Sequence, residues 1–306
     1  MSPSRQAVDS YRHAPISRAR KISRGRTPVF ATISETEIAD TTIRDYGENM
    51  SHLAVARRTI VEAVPPQLEQ CVRTARNFVR FARHRGVGRY CPVCEKSAKR
   101  FVPYGIPPRE EACCIHCGAL ERHRMTWLYF QRETNLFDGQ TKRVLHIAPE
   151  RQFEKLLRKR IGSGYLTADL LNPRAMIKMD ITDIQYEEDS FDVVDCSHVL
   201  EHVDDDNKAM REFHRVLKPT GWAVLLVPLT VETTFEDPSV TDPRERLRLF
   251  GQDDHVRRYG PDFADRLRNA GFSVEVVEPQ DFLTSSEISA MRIGVDIEDK
   301  IFLCTK

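Results

Sequence analysis

No apolar run in the 306 residues approaches the ~18 consecutive residues that a membrane span needs, and no signal-peptide core appears. These absences argue against an integral membrane or secreted protein, and the expected compartment is the cytoplasm. Net charge is nearly missing as well, at +1, but that balance hides an asymmetry. Residues 1–90 hold 16 Lys/Arg against 8 Asp/Glu, which leaves 30 against 37 for residues 91–306. The basic end suits nucleic acid or an acidic lipid surface, and equally a solvated tail.

Cysteine is present only eight times, at positions 71, 91, 94, 113, 114, 117, 196 and 304. A disulfide framework belongs to small secreted chains, and this chain is neither small nor signal-bearing. Two pairs stand out: Cys91-Pro92-Val93-Cys94 and, nineteen residues on, Cys114-Ile115-His116-Cys117. Two Cys-x-x-Cys turns at this separation are the spacing of a four-thiolate zinc ribbon, with Cys91, Cys94, Cys114 and Cys117 as ligands. Such a closed site makes the metal structural rather than catalytic. Cys113 falls outside the pairs, and His116 is read as solvated.

The chain divides into four expected regions: a disordered basic tail (1–50), an amphipathic helical segment (51–88), the zinc ribbon (89–125) and a larger domain (126–306). The first thirty residues hold seven basic residues and one acid, a bias shared by organelle transit peptides and unstructured tails. After Pro65-Pro66 a stripe of Arg73, Arg76, Arg80 and Arg83 runs beside Val72, Ala75, Val79 and Ala82. That helix either packs on the body with its charges solvated or meets a polyanion. From Gly118 to Phe130 a second helix runs out of the ribbon. Its Glu121, His123 and Arg124 either face a cleft or lock the ribbon to the larger domain.

That domain is organised around residues 143–228. Four short apolar runs punctuate it: Val144–Ile147, Tyr165–Leu166 leading to Asp169, Phe191–Val194 and Trp222–Val227. Between them Phe153, Leu156, Leu157 and Ile161, and later Met210, Phe213, Val216 and Leu217, recur at helical spacing. Strands alternating with helices predict an α/β fold with a mostly parallel sheet and helices on both faces. Ligands in such sheets bind beyond the carboxyl ends of the strands. A carboxylate at that end of the second strand, Asp169, stands where a nucleotide ribose is held.

The runs Asp189-Ser190-Phe191-Asp192-Val193-Val194, His198-Val199-Leu200-Glu201-His202-Val203 and Arg215-Val216-Leu217-Lys218-Pro219-Thr220-Gly221 carry a resemblance. In this order they resemble the Rossmann-like S-adenosylmethionine-dependent methyltransferases, over about 160 residues to the C-terminus. With the cysteine pairs, the stretch Gly118-Ala119-Leu120-Glu121-Arg122-His123-Arg124 and His146-Ile147-Ala148-Pro149-Glu150 resemble a bacterial subgroup with a four-cysteine ribbon. That subgroup carries this second stretch in place of the family's Gly-x-Gly-x-Gly turn. The departure matters, because glycine lets backbone approach the cofactor closely. Ala148 is small enough if its φ stays negative, and Pro149 suits a first helical position. Glu150 suits either the cofactor's ammonium group or the helix dipole.

The resemblance implies a seven-stranded sheet and a cofactor, S-adenosylmethionine, held by His146, Ala148, Pro149, Glu150, Asp169, Leu170, Asp180, Ile181, Cys196 and Ser197. His198, which comes just after the fourth strand, and His255 are the candidate bases. Residues 229–262 are too polar for core and too long for a simple loop, so they read as a lid. Asp253, Arg257 and Tyr259, beside His255, are its candidate substrate contacts. The acceptor is expected to be a small molecule or saccharide. RNA is the alternative, with Lys96, Lys99, Arg100 and Arg109 of the ribbon on phosphate. A third reading is a non-catalytic interaction protein that keeps only the fold.

Overall fold

Strands of four to ten residues form where the apolar runs fall, and helices form between them. The computed structural model describes residues 84–105, 107–294 and 300–306. The tail expected over 1–50 lies outside the described residues, as does the helical segment over 51–88 except for residues 84–88. No helix among the described residues is long and apolar enough to cross a membrane.

A cysteine module comes first, built from two antiparallel hairpins: β1 (Arg89–Cys91) with β2 (Lys96–Ala98), and β3 (Val102–Tyr104) with β4 (Arg109–Cys113). Helix α1 (Glu121–Arg132) leaves it, and then come β5 (Val144–Ile147), α2 (Arg151–Ile161), β6 (Tyr165–Asp169), β7 (Ile177–Lys178) and β8 (Phe191–Ser197). Next are α3 (Asp206–Val216), β9 (Leu217–Leu226), β10 (Phe235–Glu236), α4 (Pro243–Phe250), β11 (Arg257–Arg258) and α5 (Phe263–Asn269). The chain continues through β12 (Ser273–Val277), α6 (Pro279–Phe282) and α7 (Ser285–Met291) to β13 (Ile301–Thr305).

Seven strands make one sheet in the order β12-β13-β9-β8-β5-β6-β7. The pairs from β9 to β7 are parallel, while β13 runs antiparallel to both its neighbours. The expected seven-stranded, mostly parallel sheet and its final antiparallel pair are therefore present. Strand alternation splits the core into two. Leu145, Ile147, Val194, Ala223 and Leu225 face α3 and α5, against Met210, Phe213, Phe263 and Leu267. Val144, Val193, Trp222, Val224 and Leu226 face the opposite way, onto α1 and α2 through Trp127, Phe130, Phe153 and Leu157.

That second core also takes in Cys91, Val93, Ala98 and Phe101, so the cysteine module and the sheet share one interior. The boundary expected at Met125–Thr126 falls inside α1. Arg124 fixes the junction. It is fully buried, its guanidinium lies 4.4 Å from the centre of the Phe101 ring, and it donates to four backbone carbonyls. Two belong to the module side, Ala112 (2.9 Å) and Ala119 (2.8 Å), and two lie at the end of α7, Met291 (2.6 Å) and Arg292 (2.9 Å). A buried cation is tolerated only when its donors are satisfied in this way. Arg124→Met leaves those carbonyls short of partners, and denaturant unfolding should show a loss of about 3–5 kcal/mol.

Candidate active site

Register sets the carboxyl ends of the parallel strands flush. Ile147 of β5 lies opposite both Ala168 of β6 and Cys196 of β8, and Cys196 lies opposite Leu225 of β9. The residues that come next, Ala148, Asp169 and Ser197, therefore line one edge of the sheet.

The glycine-free turn has a conformation that glycine favours. Ala148 takes φ +45°, against the negative φ expected, and its N–H donates to the Ala168 carbonyl at 2.8 Å. Pro149 precedes Glu150, the N-cap of α2, so it lies outside the helix it was expected to start. The Glu150 carboxylate is gripped from α1. His123 Nε2 stands 2.5 Å from Oε1, and Arg122 Nη2 donates to the same oxygen at 3.2 Å. The Leu120 N–H donates to His123 Nδ1 at 2.8 Å, which fixes the tautomer: Nε2 carries the proton and donates it to Glu150. Burial alone would raise the Glu150 carboxyl, but His123 and Arg122 outweigh it and hold it at about 2. Burial keeps the His123 pKa below its usual value despite that carboxylate.

Asp169 ends β6 half-buried, and its Oδ1 accepts from the N–H groups of Leu171 and Asn172 at 2.8 Å each. Leu170 beside it is exposed. Asp180 is exposed, with Oδ1 bonded by the Thr182 N–H and hydroxyl, while Ile181 is buried in the core. Ser197 is half-buried at the strand end, but the Cys196 side chain is buried in the α3-side core.

His146 is not at the edge. Alternation turns it inward, 1% exposed, with Nδ1 2.7 Å from the Tyr165 hydroxyl and Nε2 3.6 Å from Asp195. Burial pushes His146 down to about 4 and Asp195 well above the usual carboxylate range. His146 and Cys196 are therefore core residues, without the surface that a cofactor contact needs.

His198 leaves β8 at φ +55°, a strained conformation for a non-glycine residue, and its N–H donates to the Leu226 carbonyl at 2.9 Å. Its Nδ1 lies 3.4 Å from Glu201 Oε1, and its Nε2 is buried with no hydrogen-bond partner. Burial would raise Glu201, but His198 more than offsets this and keeps it below the usual range. The insertion brings His255 to the same place. Val256 N–H donates to the Glu201 carbonyl at 2.9 Å, and the His255 ring meets that of His202 edge-on at 4.6 Å. Both candidate bases thus belong to one cluster.

Two of the expected lid contacts are not available to a substrate. Tyr259 is fully buried, with its hydroxyl donating to Asp206 Oδ2 at 2.6 Å. Arg257 is 3% exposed and donates to the carbonyls of Leu200 and Asp204 and to Glu236, each at 2.8 Å. They fasten the insertion to the body, where the β10–β11 pair closes it. Asp253 is exposed. Asp206 and Asp195, which sequence reasoning missed, carry no local motif; only the strand and helix packing reveals their partners.

The four paired cysteines do converge. Cys91 Sγ lies 3.6 Å from Cys117 Sγ and Cys94 Sγ 3.8 Å from Cys114 Sγ, with all four sulfurs within 4.8 Å of one another. A tetrahedral ion with Zn–S bonds of ~2.3 Å separates its sulfurs by about 3.8 Å, so the donor set fits zinc. Disulfides, at ~2.05 Å, do not fit these distances.

The turn generates two expected outcomes. Ala148→Gly relieves about 1–2 kcal/mol of left-handed strain and costs about 0.5–1 kcal/mol of chain entropy. Its measured stability should match or slightly exceed the native value, whereas the β-branched Ala148→Val should be clearly destabilised. Glu150 has a folded pKa of about 2, below the usual 4.5, so its stabilisation is full above pH 4.5 and is lost as pH falls through 2. Unfolding measured across that window should decline by up to about 3 kcal/mol more in the native protein than in Glu150→Gln.

Residues 132–225 match a family described as a methyltransferase domain. No curated protein sequence matches the chain. Among solved structures, a Mesorhizobium loti S-adenosylmethionine-dependent methyltransferase is 18% identical, covers 60% of this chain and 98% of its own, and has a TM-score of 0.43. A methyltransferase from Archaeoglobus fulgidus gives 18% identity, 60% and 93% coverage and a TM-score of 0.41. The Burkholderia thailandensis 1,6-didemethyltoxoflavin-N1-methyltransferase, solved with that substrate and S-adenosylhomocysteine, gives 13%, 60% and 76%, and 0.39. The match, residues 132–225, runs through β5 to β9 of the seven-stranded sheet, which has a methyltransferase fold.

Proposed function

We propose that the protein is an S-adenosylmethionine-dependent methyltransferase acting on a small-molecule or saccharide acceptor, with a structural zinc ion on Cys91, Cys94, Cys114 and Cys117. The observation that carries the reading is the flush edge, which sets Asp169 beside the turn Ala148–Glu150 at the carboxyl ends of adjacent parallel strands. Asp169 Oδ2, which has no hydrogen-bond partner among the described residues, takes the ribose hydroxyls. Asp180 and the backbone of Ile181 address the adenine. Ala148 and Pro149 shape the methionine end. The bonds to Glu150 from His123 and Arg122 both end on Oε1, which leaves Oε2 for the ammonium group.

When bound, the cofactor supplies a methyl group already activated by the sulfonium charge. The chain's own part is alignment, with Ser197 and His198 bordering the transfer point. His198 holds a buried, unpartnered Nε2 that suits it to take a proton from a hydroxyl or protonated amine acceptor. Two of the cations considered for RNA phosphate are already paired: Arg100 with Glu111 at 3.5 Å and Arg109 with Glu121 at 3.3 Å. That favours a small acceptor over RNA. A zinc-binding set of four thiolates suits a reducing cytoplasm.

Calorimetric titration of S-adenosylhomocysteine into the zinc-loaded protein should show micromolar binding that is lost in Asp169→Ala. A folded native protein that binds none would overturn the reading and leave an interaction module.

A further inference from the structure

Beyond the transfer edge, Glu201, His202 and His255 each offer one ligand atom, and the three atoms lie within 4.8 Å of one another. Glu201 and His202 come from the 3-10 turn Leu200–His202 just past β8, and His255 comes from the insertion. Two of these groups are sealed from solvent with one polar atom each left unpartnered. Glu201 is 1% exposed and its Oε2 has no hydrogen bond, while His255 is 5% exposed and its Nε2 has none. Orphaned buried acceptors are costly, and a protein seldom keeps two side by side unless something else satisfies them.

We propose that Glu201, His202 and His255 form a divalent metal site, distinct from the four-cysteine centre, that presents an open coordination position to an oxygen-bearing acceptor. Two imidazole nitrogens and one carboxylate oxygen suit Mn2+, Fe2+, Co2+ or Zn2+. Three protein ligands leave positions open, as four thiolates do not. The outer groups are those that orient metal ligands. His202 Nδ1 stands 3.3 Å from Asp254 Oδ2, and Glu201 Oε1 faces His198 Nδ1 at 3.4 Å. His202, the most exposed of the three ligands, has room to rotate onto the ion.

His198 links this site to the sheet edge, so an ion here stands one side chain from the transfer point. A hydroxyl oxygen of the acceptor fills the open position. This part rests on the methyltransferase reading above.

The test uses the full chain with its cysteine centre loaded with zinc and excess metal removed. Mn2+ is titrated in and the electron paramagnetic signal of the free ion is monitored, with Co2+ and its visible absorption as a second probe. One equivalent should bind. Glu201→Gln should weaken binding at least tenfold, and so should His202→Ala, whose exposed position spares the fold. Bound Mn2+ should also enhance water proton relaxation, the signature of an open position. Failure of both ions to bind, binding that survives both substitutions, or absence of relaxation enhancement would overturn the proposal. S-adenosylhomocysteine titrated into the same sample separates the two readings. Cofactor binding without the ion sinks the metal site alone, and ion binding without the cofactor sinks the methyltransferase reading.

Discussion

The grip of α1 on the Glu150 carboxylate is the constraint on which the rest of the site depends. Glu150 is at once the N-cap of α2 and the third residue after β5, so whatever holds it sets the path of the turn between them. His123 and Arg122 hold it from a helix that begins inside the shared core of the cysteine module. In a glycine-rich turn, backbone freedom lets the chain pass close to a ligand. Here the left-handed Ala148 reaches a similar path, and side chains from a separate module stiffen it. The motif Leu120-Glu121-Arg122-His123-Arg124 and the turn Ala148-Pro149-Glu150 are thus two halves of one contact.

The insertion obeys the same logic. Its polar residues serve mainly to hold it down. Asp206 accepts from Tyr259 and, through a 2.6 Å contact with Oδ1, from Arg266, which also bonds Glu236. Arg257 bridges Glu236 to the turn that carries Glu201 and His202. A buried network of this kind is stable only if every member is satisfied. Its tight closure contrasts with the unsatisfied atoms of Glu201, His198 and His255 a short way off.

Much of this is legible in the sequence. The apolar runs mark β5, β6, β8 and β9, the 3.6-residue spacing marks α2 and α3, and the cysteine spacing marks a convergent four-sulfur group. What escapes has physical reasons. β7 is two residues long and has no period to read. The positive φ at Ala148 and His198 is invisible because neither is glycine. Arg124 looks like one more surface charge until the carbonyls at the end of α7 reach it. Motif position alone assigns His146 and Cys196 to the cofactor, whereas strand alternation turns their side chains into the core. The polarity of the insertion suggests Arg257 and Tyr259 as contacts, but polarity does not distinguish a group that waits for a substrate from one already paired.

Strand β13 has a bearing on how the molecule is made. It lies between β9 and β12, so an interior position of the sheet is filled by residues 301–305. During synthesis the cysteine module and the parallel strands emerge long before it, yet Val224 and Val276 gain their flanking strand only when Leu303 and Phe302 arrive. Arg124 likewise waits for the carbonyls of Met291 and Arg292. The nascent chain therefore carries an unpaired β9 edge and a buried cation without its full set of acceptors until residues 291–305 have emerged. That is the window in which a chaperone would be needed.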